Sequence, residues 1–217
     1  VRPTSAIVAH YASEPGDPLW PLATAVQRDV ASALGDDFLA RDPRTVHTTV
    51  LGLDDTPAAL HAPLTGLVRE QLAAEPLRLQ VGGWPDVALP VSSRGRRLHE
   101  RTLSRFGRTV VLLAWPVDPH GVPTTRLDAL RRALVAAGGR HRYPLDEGHL
   151  DPDAHLVIGV VRDDADLDAI DAGLQVARTL LAQQPRHLDI GPDDLSVVTY
   201  DDPTLPPATT RVVRPWT

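Results

Sequence analysis

The sequence predicts an α+β protein built of two related lobes. Three observations carry that expectation. A β, α, β succession of apolar patterns appears once in each half of the chain. The element His47-Thr48-Thr49-Val50-Leu51-Gly52 returns in the second half as His155-Leu156-Val157-Ile158-Gly159, a histidine opening an apolar, β-branched run each time. No low-complexity linker separates the halves, so both are expected to pack as one globule spanning 1–217.

In order, 6–11 reads as a strand, and after the proline-broken turn 14–18 a helical pattern covers 19–34, with Leu22, Val26, Val30 and Ala33 on one face and Gly35 as its stop. The first histidine strand, 46–53, follows. Asp54-Asp55-Thr56-Pro57 then signals the start of a helix running to about residue 74. Residues 77–81 alternate as a half-buried strand, 109–115 form a strongly apolar one, and 127–137 form a helix ended by Gly138-Gly139. The second histidine strand occupies 154–161. The acidic stretch 163–168 suits a helix N-terminus, with Leu167, Ile170, Leu174, Ala177 and Leu181 behind it, and strands near 187–190, 195–200 and 211–213 finish the chain.

At 217 residues and 23.5 kDa the chain is long enough to bury a full core. It has no run of about 18 apolar residues to cross a bilayer and opens on no charged-then-apolar leader, so a soluble protein of the cytoplasm is expected, with no membrane partner. Without cysteine there are no disulfides, no thiolate chemistry and no cysteine-rich zinc site. All 22 basic residues are arginines, which favours planar, bidentate phosphate recognition, while a formal net charge of −6 argues against coating long duplex nucleic acid. A small anion or one RNA end remains compatible.

Alternate side chains of a strand share a face. His47 therefore points with Thr49, and His155 with Val157, while Val50 and Ile158 turn to the core. One half offers an imidazole and a hydroxyl; the other offers an imidazole and a methyl.

A His-x-Thr-hydrophobic strand repeated once per lobe resembles the two-histidine (2H) phosphoesterase superfamily, including the bacterial RNA 2',3'-cyclic phosphodiesterases once called 2'-5' RNA ligases. The first copy, residues 46–53, is similar to the family pattern throughout, as is the placement of the late strand Val197-Val198-Thr199-Tyr200. The second copy departs from it at Val157, where the family has Thr or Ser.

The resemblance implies two pseudo-symmetric lobes of antiparallel sheet with outer helices, forming a central groove with His47 and His155 across its floor. It implies no cofactor and no metal. The expected partner is a nucleotide or RNA-terminus cyclic phosphate, and the chain is expected to act as a monomer. One imidazole would take a proton from water and the other give one to the departing ribose oxygen, roles suited to an unperturbed pKa of roughly 6.5. Thr49 would donate to a phosphate oxygen. Val157 would not, and a hydrogen bond to a charged group worth roughly 1.5–3 kcal/mol makes the loss about ten- to a hundredfold in rate. Tyr11, Tyr200, Thr48 or an arginine would compensate. The alternatives are a nucleotide- or RNA-end-binding protein with weakened or no turnover, and the same scaffold recruited to another reaction of small-molecule metabolism.

Other candidates read more plainly. Arg94, Arg96, Arg97, Arg101, Arg105 and Arg108 form the one locally basic run, expected as a solvated loop from which Arg97 reaches substrate. Arg140, His141 and Arg142 precede the second motif, and Arg142 is expected near the groove. His149, Asp151, Asp153 and His155 offer metal-ligand atoms, but Pro152 and the lack of ligand spacing favour a polar turn.

Overall fold

The computed structural model describes residues 4–141, 151–202 and 204–213. In chain order these form β1 (Thr4–Ala9), α1 (Leu19–Leu34), β2 (Phe38–Ala40), β3 (Thr48–Gly52), α2 (His61–Ala74), β4 (Leu77–Val81), α3 (Leu98–Thr102), β5 (Leu103–Phe106), β6 (Thr109–Pro116), α4 (Arg126–Ala136), β7 (Ala154–Val161), α5 (Leu167–Ala182), β8 (Arg186–Ile190), β9 (Leu195–Tyr200) and β10 (Arg211–Val213). None of the described helices is long and apolar enough to cross a membrane.

Two antiparallel sheets result. The first has the order β10-β9-β1-β3, and the second the order β2-β7-β6-β4-β8, with β5 paired to β6. Each sheet takes strands from both ends of the chain, since β9 and β10 complete the sheet of the first motif while β2 and β4 join the sheet of the second. The helices pack in two pairs, α1 with α5 and α2 with α4. Their apolar stripes, such as Val26 and Val30 of α1, Leu130 and Leu134 of α4 and Ile170 and Leu174 of α5, share one continuous core with Ile7 and Leu51 of the first sheet and Leu112 and Leu156 of the second.

Both histidine motifs carry a β-bulge at the same place. Opposite β1, the pairing steps from Leu51 to Thr49 and skips Val50; opposite β6, it steps from Gly159 to Val157 and skips Ile158. A bulge bends its strand and reverses the alternation beyond it. In β7 the half-buried His155 and Val157 are therefore followed on the outward face by Val160, which is 42% exposed, while Leu156 and Ile158 are fully buried. Gly159 lies where a Cβ would come within 2.3 Å of the Phe38 ring, so only glycine lets β2 close on this edge.

Several expectations change. The basic run is not a solvated loop: Leu98 and Leu103 are buried and the segment folds into α3 and β5. The 54–57 stretch does not cap α2, which begins after a 3₁₀ turn at Ala58–Leu60, and the Thr56 hydroxyl instead accepts from the Arg140 backbone N–H at 2.9 Å. The first strand stops at Ala9, because His10 and Ala12 adopt positive φ and turn the chain, which the Ala12 N–H then ties to the Arg44 carbonyl at 3.0 Å.

Candidate active site

The first motif is fixed by the turn before it. Asp42 accepts from the Arg44 N–H at 3.0 Å, Pro43 starts a 3₁₀ turn, and the Thr45 hydroxyl donates back to the Asp42 carbonyl at 2.8 Å. The Thr45 carbonyl then accepts from Nδ1 of His47 at 2.8 Å, while the Tyr11 ring stands edge-on to the imidazole at 6.0 Å between centroids. With Nδ1 carrying the hydrogen, Nε2 of His47 is left as the acceptor. Burial is the main cause that pushes His47 down to about 4; the Thr45 bond opposes this and the positive charge of Arg41 reinforces it. His47 is thus neutral at pH 7.

His155 has the opposite partner. Its Nε2 donates to Oδ1 of Asp153 at 2.9 Å, and its ring stacks on Phe106 at 6.3 Å. Asp153 is 1% exposed, and its second oxygen accepts from the Ser93 hydroxyl, to which Arg101 Nε donates at 3.2 Å. Burial raises this carboxyl, but hydrogen bonds from His155 and Ser93 and the charges of His155 and Arg101 outweigh it and hold Asp153 at about 2. It is a carboxylate throughout the neutral range, and a counter-ion for His155 whenever that ring carries two protons.

Both histidines line one cavity of about 190 Å³. Thr49, Val157 and Tyr200 line it with them, and Arg41, Asp54, Arg131, His141, Asp151 and Asp153 supply the rest of its polar wall. Tyr11 and Arg97 are not among its described lining residues. Tyr11 packs behind His47, outside the cavity lining, and its hydroxyl is committed to the Leu205 carbonyl at 3.0 Å. Arg97 pairs with Glu100 and Asp86 and does not reach the cavity. Arg105 and Arg108 are likewise paired, with Asp171 and Asp163. Thr48 is buried and lies outside the lining, so it offers no substitute for the hydroxyl missing at Val157. Arg142 and His149 lie outside the described residues.

Donor atoms of Asp151, Asp153 and His155 lie within 4.8 Å of one another. They are engaged by protein groups: Asp153 as above, and Asp151 by His141 Nε2 at 2.9 Å and Arg131 at 3.0 Å. The cluster is a neutralised hydrogen-bond network.

Two buried polar side chains hold the bulges. Arg131 of α4, 4% exposed, donates to the Thr49 carbonyl at 2.9 Å and the Val50 carbonyl at 3.1 Å in β3, and also to the Asp151 and Asp153 carbonyls leading into β7, at 2.5 and 3.0 Å. Gln27 of α1 donates to the Ile158 carbonyl at 2.9 Å and the Arg41 carbonyl at 2.7 Å. A helix from each half thus braces the histidine strand of the other. Sequence reasoning missed Arg41, Gln27 and Arg131 and took Asp153 only as a rejected metal ligand. The last three left a signal: Gln27 and Arg131 sit inside apolar helical stripes, at Ala23-Val26-Gln27-Val30 and Leu127-Leu130-Arg131-Leu134, and Asp153 shares a strand face with His155.

No protein-family model matches the chain, and no curated protein matches it. Among solved structures, TT0787 of Thermus thermophilus is similar over 97% of this chain and 93% of that one, at 15% identity and a TM-score of 0.48. Usb1 of Kluyveromyces marxianus is similar over 96% of each chain at 10% identity, TM-score 0.45, and the same protein with uridine monophosphate over 96% and 97%, at 10% identity and TM-score 0.47. Two antiparallel sheets each deliver a histidine strand to one cavity, as the resemblance of the sequence motifs leads one to expect.

Proposed function

We propose that the protein hydrolyses a phosphodiester by metal-independent acid/base catalysis between His47 and His155, with a cyclic 2',3'-type or 2'-5' phosphodiester of a nucleotide or RNA end as the first substrates to test. The observation that carries this reading is that the two imidazoles line one cavity with opposite hydrogen-bonding: His47 neutral with Nε2 as an acceptor, His155 against an ionised carboxylate. In the proposed step, water attacks phosphorus as His47 Nε2 takes its proton. The phosphorus–oxygen bond to the departing alcohol breaks, and His155 gives that oxygen a proton from Nδ1, the ring nitrogen that Asp153 does not hold. The products are a phosphomonoester and an alcohol, and proton exchange with water restores both rings. Thr49 and Arg41 bind the phosphate oxygens, where preorganised donors stabilise the transition state.

The test is hydrolysis of 2',3'-cyclic nucleotides in chelator by wild type, His47→Ala and His155→Ala. Loss of at least about a hundredfold in both variants is expected; equal rates in all three overturn the proposal. Val157 favours one competing reading, a protein that holds the nucleotide or RNA end without turnover. Tight nucleotide binding with no product, unrescued by Val157→Thr, would select it.

A further inference from the structure

Beside the histidine cavity lies a second, larger hollow of about 580 Å³, and the two share Arg41 and Val157. Its floor is the outward face that the Ile158 bulge creates. Val157 and, beyond the bulge, Val160 lie on it, and Leu39 of β2, directly opposite Val160 in the pairing and 50% exposed, extends it. Thr204 and Pro206 stand among its walls. Among the described residues its lining carries no aromatic ring. Asp42, Thr45 and Thr109 also line this trough, but Leu39, Val157, Val160 and Pro206 make its lining richer in apolar side chains than that of the histidine cavity.

We propose that this trough is a subsite for an aliphatic ester arm carried on the phosphate, so that the preferred phosphodiester is amphiphilic, with a hydrocarbon group of several carbons next to phosphorus. The proposal rests on the phosphodiesterase reading and names its substrate class. Three features fix the occupant. The trough adjoins the cavity and shares Val157 and Arg41 with it, so it lies within reach of an arm on a phosphate bound there. Arg41 stands at the junction, where the anionic head of such a molecule lies. The volume is that of a small-molecule pocket, not of an interface. Val157 then has a reason of its own: it lines both hollows, and its methyls add apolar surface where they adjoin.

The experiment is a series of n-alkyl p-nitrophenyl phosphates from methyl to hexyl, in which the alkyl arm stays on phosphorus and p-nitrophenolate leaves. In wild type kcat/KM is expected to rise about fourfold per methylene over the first few carbons, mostly through KM. In the Leu39→Gln/Val160→Gln double variant the hexyl-to-methyl ratio falls towards one, whereas Val176→Gln, on the exposed face of α5, keeps the wild-type ratio. A flat wild-type series, or a double variant with the wild-type ratio, overturns the proposal. So does a double variant whose change is in self-association by sedimentation and not in the ratio, which would make the trough a contact between copies. If no ester is turned over, the phosphodiesterase reading fails separately, and calorimetric binding of hexyl phosphate against methyl phosphate decides the subsite: equal affinities contradict it.

Discussion

Val50 and Ile158 are the unpaired residues of two bulges that stand at the same place in the two histidine motifs, each three residues after its histidine. Their carbonyls are met by Arg131 and Gln27 from helices of opposite halves. Replacing Arg131 by Leu removes the side-chain donor to four carbonyls and the guanidinium beside the Asp151 carboxylate, which keeps its bond from His141. A cost of about 3–5 kcal/mol is expected. Gln27→Leu leaves the Ile158 carbonyl its bond from the Arg41 N–H, so about 1–3 kcal/mol is expected. Urea unfolding of both variants measures the difference, and Arg131→Leu is expected to be the costlier.

The neutrality of His47 has a pH signature. Folded, it takes up its proton near pH 4; unfolded, near 6.5. Between those values the unfolded chain binds more protons, so this contribution to stability is complete above about pH 6.5 and is lost as pH falls towards 4. The acidic limb of kcat/KM is expected near pH 4. Because Arg41 helps to lower His47, Arg41→Gln should move that limb to higher pH while raising KM, which a pH–rate profile of the two proteins checks.

Asp153 is depressed to about 2, so its contribution is complete above the unfolded value of about 3.9 and is lost as pH falls towards 2. Asp153→Asn should flatten the acid unfolding curve in that window. It should also slow hydrolysis of cyclic nucleotides by about ten- to a hundredfold, because His155 loses its counter-ion. On an aryl ester, whose leaving group departs without a proton, the same variant should lose much less.

Thr49 and Val157 test the asymmetry of the motifs. Thr49→Val removes the hydroxyl that lines the cavity and should cost about ten- to a hundredfold in kcat/KM on cyclic nucleotides. Val157→Thr should raise that activity by up to the same factor and, at the same time, lower the preference for long alkyl arms. Steady-state kinetics of both variants on the two substrate types separates the effects.

Much of this was legible in the chain. The apolar stripes of α1 and α5 emerge where periodicity puts them, and Asp166, within the acidic stretch, caps α5 by accepting from the Asp168 N–H at 3.0 Å. Alternation alone placed His47 with Thr49 and His155 with Val157. The short elements β2, α3 and β5, of three to five residues, were hidden because such lengths carry no period; they are defined by what they pack on, Phe38 on Gly159 and Leu98 and Leu103 in the interior. The basic run misled for the same reason: charge density along a sequence does not reveal which acids meet it from elsewhere, and Asp86, Asp153, Asp163 and Asp171 do. Nor does a motif show its bulge, which needs the partner strand's register.

The central claim is that both imidazoles address one phosphate. A crystal structure grown with inorganic phosphate or vanadate tests it most directly: the expected result is one tetrahedral or trigonal anion with oxygens within hydrogen-bond distance of His47 Nε2, His155 Nδ1 and the Thr49 hydroxyl. An anion bound elsewhere with the cavity empty, or histidine rings turned away from a common centre, would contradict it.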